Sequence, residues 1–425
     1  MIQEVFNHFL KYKAVTTDTR QIVPHAIYFA LKGERFNGNQ FALQALDAGC
    51  EWAVVDEDVD SNDGRLVRVD NALEAMQQLS AMYRQSLDIP FLAITGSNGK
   101  TTTKELLTAV LSKKFKVHAT KGNLNNHIGV PLTLLSIPAS AEFAVIEMGA
   151  NHQREINGYC QYADPEFALI TNIGKAHLEG FGGVEGVKKG KRELYDYVHS
   201  KGGKVFVNVE LPALDEVSQG MDRIVYGFET GDFTMKVLSE TPFLTFEYKV
   251  GETAHVVESK LSGAYNLYNF ASAAVVGNYF GVPIHDQIDA MSSYDPDNNR
   301  SQIVVTAKNT LIMDAYNANP SSMEHALVNL SRQKGDTFFV MGDMRELGDE
   351  APAEHEAMLV KAQELGLKGV TVGEVYLSIP GYSVYPRFAT NVEAKEALAA
   401  MQLQQHTILI KGSRGIRLEE IKEIF

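Results

Sequence analysis

The sequence predicts an α/β protein of three domains, the last two built on sheets of parallel strands. Three observations predict it. The chain has 425 residues, which at roughly 150 residues per domain gives about three domains. Two separate stretches alternate apolar strand patterns with helical ones, the signature of a parallel sheet covered by helices. A strand, a Gly-rich turn and a helix opening on Lys-Thr follow one another in "FLAITGSNGKTTTKELL", residues 91–107.

Taken in order, residues 1–85 hold short strand patterns at Ala26–Leu31, Trp52–Val55 and Leu66–Val69. They also hold the turn "KGERFNGNQF" (Lys32–Phe41) and a helix over Ala72–Tyr83. Pro90 marks a boundary. The second domain, 86–297, carries strands at Phe91–Thr95, Phe143–Ile146, Phe167–Thr171 and Lys204–Asn208. Residues 221–258 turn rich in Tyr, Phe, Thr and Val and read as an antiparallel addition. A helix with small residues follows at Tyr265–Phe280. After "SSYDPDNNRSQ" the third domain, 298–425, repeats the alternation. Its strands fall at Thr310–Met313, Thr337–Met341, Gly369–Val372 and Thr407–Ile410, each with a helical stretch after it. There is no internal repeat and no low-complexity tract.

Composition narrows the class. With 45% hydrophobic residues the chain can bury several cores. Cys50 and Cys160 have no pairing spacing, which suits a reducing compartment. "MIQEVFNHFLKYKAV" lacks the basic and apolar regions of a signal peptide. No run approaches the roughly 18–20 apolar residues of a membrane span. A net charge of -14 argues against bulk attraction to nucleic acid or anionic lipid. The expectation is a cytoplasmic protein that neither binds nucleic acid nor inserts in a membrane.

The glycine turn departs from the usual phosphate-binding pattern G-x-x-x-x-G-K-[ST]. Ile94 stands where the first glycine belongs. Gly96, Ser97, Asn98 and Gly99 can still turn backbone N–H groups toward a phosphate, with Lys100 on the phosphates and Thr101 offering a hydroxyl to Mg²⁺. The bland alternative is a strand–helix turn with a solvated lysine. "FAVIEMGANHQREI" ends a strand at Glu147, where an α/β sheet presents residues to a ligand. That carboxylate can hold Mg²⁺ or simply be solvated. "FALITNIGKAHLEGFGG" puts His177 in the loop after a neighbouring strand, as a metal ligand or as a structural histidine.

These residues resemble a known family. "TGSNGKTTTKE", "NLNNHIGVPLTLL", "AVIEMGAN", "TNIGKAHLEGFGG", "DAYNANPSSM", "MGDMRELG" and "KGSRGIRLE" are similar to the Mur ligases of bacterial cell-wall synthesis, in family order and over the whole chain. "DAYNANPSSM" and "KGSR" resemble the branch that adds D-alanyl-D-alanine. The D-N-P-R signature of the diaminopimelate-adding branch is absent. That family uses the phosphate loop without the early glycine.

The resemblance implies a P-loop ATPase-type central domain, a Rossmann-like third domain, ATP and two Mg²⁺ ions. It implies joining of UDP-N-acetylmuramoyl-tripeptide to D-alanyl-D-alanine through an acyl phosphate, by a monomer. It puts Thr102 with the phosphate loop, and Thr101 and Glu147 on one ion. His177 and a CO₂-carbamylated Lys191, in "GVKKGKRELY", would hold the second. Asn266 and Asn269 would contact adenine, with helix capping or packing as the alternative. Arg300, Asp314 and Asn317 would approach ATP from the third domain. Lys411 and Arg414, read as surface basic residues, would meet the dipeptide carboxylate or the transferring phosphoryl group.

The UDP-linked substrate would lie against Thr19, Arg20, Lys32, Gly33, Asn123 and Asn126. Here the chain departs from the family's K-G-x-x-x-D-G-H-x-F, carrying Asn37 and Asn39 at the two ionisable positions. Other amine-adding Mur-type or folate-type ligases, or a nucleotide-binding switch, remain as alternatives. A switch has no need of Lys191 or of the third-domain motifs.

Overall fold

Each strand run that the sequence marks lies in one of three mostly parallel sheets. The structure is a computed structural model, describing residues 2–34, 36–296 and 299–425. The first domain opens with α1 (Ile2–Tyr12) and forms a four-stranded parallel sheet. Its strands are β1 (Val15–Thr16), β2 (Ile27–Phe29), β5 (Trp52–Val55) and β6 (Leu66–Arg68). Between β2 and β5 come the hairpin β3 (Lys32–Gly33) with β4 (Phe36–Asn37), and α2 (Ala42–Asp47). Helix α3 (Ala72–Gln85) starts on Asn71, whose side chain accepts from the Leu73 and Glu74 amides.

The central sheet has six parallel strands in the order β12-β11-β10-β7-β9-β8. They are β7 (Phe91–Thr95), β8 (Val117–Ala119), β9 (Phe143–Glu147), β10 (Phe167–Ile170), β11 (Lys204–Asn208) and β12 (Arg223–Tyr226). All five residues of β7 and of β9 are buried, as expected of strands covered on both faces. One face is covered by α4 (Lys100–Leu111), α10 (Leu267–Tyr279) and α11 (Ile284–Ser293). The other is covered by α5 (Gly129–Leu135), α6 (Glu155–Ala163) and α8 (Val184–Ser200), with the short α7 (Leu178–Phe181) and α9 (Pro212–Val217) beside them. From β7 the chain moves to β8 and β9 on one side and to β10, β11 and β12 on the other. The carboxyl end of β7 therefore lies at the switch point where such sheets bind ligands.

The expected antiparallel addition needs correcting. Its first part, β12, is the parallel edge strand of the central sheet. The antiparallel sheet contains only β13 (Phe233–Ser239), β14 (Thr245–Val250) and β15 (Thr253–Glu258). As an edge strand β12 is only partly covered and carries the same Tyr- and Val-rich composition as the strands after it, so composition alone cannot separate them.

The third sheet has the order β16-β17-β21-β18-β19-β20. It comprises β16 (Gln302–Val305), β17 (Thr310–Asp314), β18 (Asp336–Gly342), β19 (Gly369–Val372), β20 (Arg387–Phe388) and β21 (His406–Lys411). Strand β16 is an antiparallel edge that the sequence reading does not anticipate. Helices α12 (Pro320–Ser331), α13 (Ala351–Glu364), α14 (Glu374–Ser378) and α15 (Asn391–Met401) connect the strands. After β21 the expected helix is instead two 3₁₀ segments, Arg414–Ile416 and Leu418–Ile424. The boundary expected between residues 297 and 298 lies outside the described residues.

Candidate active site

The phosphate loop joins β7 to α4. Gly96 and Gly99 have φ of 147° and 77°, a region that L side chains rarely adopt. A Cβ on Gly96 would sit 2.0 Å from Thr171 Oγ1, and one on Gly99 would sit 2.5 Å from Asn269 Oδ1. The loop is tied to the segment after β10. The Ser97 amide donates to Asn172 O at 3.0 Å, and the Asn98 amide to Asn172 Oδ1 at 3.0 Å. Ile94 is a fully buried strand residue upstream of the turn, so the missing glycine costs the turn nothing.

Lys100 donates to Gly96 O at 2.7 Å and Ser97 O at 3.3 Å. Part of its side chain stays open to solvent. Crowding around the amine nevertheless lowers its pKa to about 8, with Arg300 adding to the effect and Glu147 opposing it. Thr101 and Thr102 are buried in the first turn of α4. Thr101 Oγ1 donates to Glu147 Oε1 at 3.2 Å, and Asn125 Nδ2 donates to the same oxygen at 2.7 Å. Glu147 is 1% exposed, and its Oε2 is buried without a hydrogen-bond partner. A buried carboxylate oxygen left open beside a threonine hydroxyl and a phosphate loop fits a hard divalent cation.

Lys191, on α8, is 1% exposed. Its Nζ has one carbonyl, Ala150 O at 3.4 Å, and lies 5.1 Å from the centre of the Phe181 ring. None of the described carboxylates pairs with it. Burial first, and Lys100 second, push its pKa well below the ordinary lysine range. The adjacent lysines differ: Lys188 pairs with Glu216, and Lys189 is exposed. His177 meets the Glu346 carboxylate of the third domain through Nδ1, and this contact holds Glu346 below the usual carboxylate range. Both residues adopt positive φ.

Asn266 and Asn269 are buried and bonded to protein groups. Asn266 donates to Ser262 O at 2.7 Å; Asn269 donates to Asn266 Oδ1 at 2.8 Å and accepts from Thr103 Oγ1 at 3.0 Å. From the third domain, the Arg300 guanidinium lies 3.7 Å over the Tyr316 ring with its Nε buried and unpartnered. Asp314 pairs with Lys411 at 2.7 Å, and Lys411 also donates to Asn317 O at 3.2 Å. The reading of Lys411 as a surface base is corrected: it is 2% exposed, because β21 is an interior strand. Arg414 is exposed, 5.6 Å from Tyr316.

The first-domain candidates make their contacts locally. Arg20 pairs with Asp18 at 2.7 Å, and Lys32 with Asp56 and Glu57 at 3.2 Å each. Thr19 is half-buried in the turn after β1, and Gly33 is exposed on the hairpin strand β3. Asn37 and Asn39 stabilise the same turn: Asn37 donates to Glu57 at 2.7 Å, and Asn39 donates to Asp56 at 2.8 Å. Asn123 is exposed, and Asn126 accepts from the Gly129 amide at the start of α5.

Sequence reasoning missed the residues that join the domains and align Glu147. Asn319, the N-cap of α12, donates to Asn98 Oδ1 at 2.7 Å. Lys175 pairs with Glu354 of α13 at 2.5 Å. Asn125 stands in "NLNNHIG" between Asn123 and Asn126, and nothing local in the motif sets it apart from them.

Comparison with known proteins agrees along the chain. Residues 11–84 match the model of the Mur ligase family, catalytic domain; residues 94–277 match the Mur ligase middle domain. Residues 299–414 match the Mur ligase, glutamate ligase domain. The UDP-N-acetylmuramoyl-tripeptide–D-alanyl-D-alanine ligase of Bacillus subtilis is 34% identical, over 96% of this chain and 92% of the relative. That of Escherichia coli is 36% identical with the same coverage. A crystal structure of MurF from Acinetobacter baumannii superposes with a TM-score of 0.87 at 32% identity, covering 96% and 92% of the two chains. MurF from Thermotoga maritima in complex with ADP gives 0.84 at 26% identity, covering 97% and 96%. The chain belongs to the Mur ligase family.

Proposed function

We infer that this chain is an ATP-dependent amide ligase joining D-alanyl-D-alanine to UDP-N-acetylmuramoyl-tripeptide, to give the UDP-linked pentapeptide. One arrangement supports the site assignment: a buried Glu147 with an unpartnered carboxylate oxygen beside Thr101 of the phosphate loop, and a buried Lys191 without a counter-ion among the described residues, close enough to Lys100 to feel its charge. Its relatives named for this reaction, at 34% and 36% identity, support the choice of substrates.

A carboxylate is a poor electrophile, since hydroxide leaves badly. Transfer of the ATP γ-phosphoryl group to the tripeptide's terminal carboxylate, with ADP leaving, gives an acyl phosphate. The free amine of the dipeptide adds to the acyl carbon and loses a proton, and phosphate departs as the amide forms. The protein positions the partners and stabilises charge. Loop amides and the α4 N-terminus receive the phosphates, with Gly96, Ser97, Asn98 and Gly99 forming the cradle. Lys100 and Arg300 neutralise the transferring group.

Bound Mg²⁺ would offset phosphate charge, one ion on Thr101 and Glu147 and a second on His177 and carbamylated Lys191. Lys191 suits that modification. A neutral amine has the lone pair to add to CO₂, forming an N–C bond and releasing one proton. Asn266 and Asn269 would shape the adenine side. Arg300, Asp314 and Asn317 would approach ATP from the third domain. Lys411 and Arg414 would meet the dipeptide carboxylate or the transferring phosphoryl group, and Thr19, Arg20, Lys32, Gly33, Asn123 and Asn126 would line the UDP-sugar side. We keep the domain division at 85/86 and 297/298, and propose action as a cytoplasmic monomer. No helix among the described residues is long and apolar enough to cross a membrane.

The test is ADP formation with ATP, Mg²⁺ and the UDP-tripeptide, with and without D-alanyl-D-alanine. Turnover should depend on the dipeptide and fail with free lysine or glutamate. Efficient use of a free amino acid would move the chain to another branch.

A further inference from the structure

The two carboxylate oxygens of Glu147 are kept in different roles. Oε1 carries both protein hydrogen bonds, from Thr101 and from Asn125. Oε2 carries none. The Thr101 contact is the longer of the two at 3.2 Å, and its hydroxyl is itself a candidate ligand. The firm restraint on the carboxylate is therefore the 2.7 Å bond from Asn125 Nδ2.

Asn125 is well placed to restrain it. Its carbonyl accepts from the Gly149 amide at 2.7 Å, two residues past the carboxylate it holds. A Cβ on Gly149 would sit 2.9 Å from the Asn125 amide and would push that side chain away from Glu147. The loop's far end is fixed as well, because Gln77 of the first domain donates to His127 O at 3.0 Å. The Glu147 backbone is pinned separately, its amide donating to Thr120 Oγ1 at 2.9 Å. Lys104, buried, donates to the Thr120 carbonyl at 2.8 Å. Backbone and side chain of Glu147 are thus oriented by two residues of the β8–α5 connection, Thr120 and Asn125, the kind of support that keeps metal-binding carboxylates aimed.

We propose that Asn125 is a positioning residue for the metal site, turning Glu147 so that Oε1 is occupied by protein donors and Oε2 faces a divalent cation. This rests on the assignment of Glu147 as a metal ligand. It needs no contact between Asn125 and substrate.

The test uses Mn²⁺ as the probe on the full-length protein, read by electron paramagnetic resonance with ADP present. ADP affinity without metal and thermal unfolding are measured alongside. Asn125→Ala and the similarly sized Asn125→Leu both remove the donor. Each should weaken Mn²⁺ binding on the order of tenfold or more, leave metal-free ADP binding unchanged, and raise the Mg²⁺ concentration needed for half-maximal turnover. Glu147→Gln separates the two claims. If it leaves Mn²⁺ binding intact, the metal assignment itself fails. If it abolishes binding while a folded Asn125 variant binds as wild type, only the positioning role is overturned. Equal losses of Mn²⁺ binding, metal-free ADP binding and thermal stability in both Asn125 variants would also overturn it, since that is the pattern of a purely structural residue.

Discussion

Two buried lysines, one in each of the larger domains, show how burial is resolved in opposite ways. Lys411, on β21 of the third domain, is 2% exposed and pairs with Asp314 at 2.7 Å while also donating to Asn317 O. Lys191, on α8 of the central domain, is 1% exposed and has only a carbonyl at 3.4 Å. A buried ammonium without a counter-ion is costly, so such an amine gives up its proton instead. Lys411 is the lysine of an ion pair, matched by Asp314 within the third domain. Lys191 is a buried lysine without a counter-ion among the described residues, the setting in which the proposed modification would occur.

The largest effect should come from the lysine between these cases. Lys100 is bonded only to loop carbonyls, which leaves its charge available to a phosphate in the proposed reaction. Lys100→Ala should reduce ATP turnover at least about 10³-fold with an unchanged circular dichroism spectrum. Normal turnover by a folded variant would remove the phosphate-loop assignment. Next, Lys191→Ala should lose about 10²–10³-fold in kcat, and added acetate, filling the vacated space with a carboxylate, should restore part of it. Lys188→Ala and Lys189→Ala should stay near wild type, because those side chains face Glu216 and solvent.

Breaking the pair should cost stability. Asp314→Asn leaves the Lys411 charge buried without its partner, a loss of about 3 kcal/mol in denaturant unfolding of the third domain. Lys411→Met in the same chain should recover part of that loss. A double variant less stable than Asp314→Asn alone would mean that Lys411 gains nothing from Asp314. The smallest effect belongs to Lys175→Met. It removes a half-exposed interdomain ion pair with Glu354, worth below about 1 kcal/mol in thermal unfolding.

The same contrast explains what the sequence made legible. Strands buried on both faces were read to the residue, as at Phe91–Thr95 and Lys204–Asn208, since an unbroken apolar run has one meaning in a parallel sheet. Edges were harder: β12 and β16 are half covered, and their pairing direction is set by neighbours far along the chain. Lys100, Thr101 and Glu147 could be picked out because they follow strand ends at fixed spacing. Lys191 could be singled out among three neighbouring lysines only through the family resemblance, and the structure then distinguishes it by burial. Asn125, Asn319 and Glu346 escaped because each acts through a partner 22, 221 or more than a hundred positions away, a relation without local periodicity. The first-domain candidates carry the opposite lesson. Arg20 and Lys32 are basic and exposed, yet each is already paired with a nearby acid.

The claim that Lys191 is set apart by unpaired burial is tested most directly by ¹³C nuclear magnetic resonance of the protein equilibrated with ¹³C-bicarbonate. The account predicts one carbamate carbonyl signal. It should be present in wild type, Lys188→Ala and Lys411→Met and absent in Lys191→Ala. A fully active protein without that signal, or a signal that survives Lys191→Ala, would contradict it.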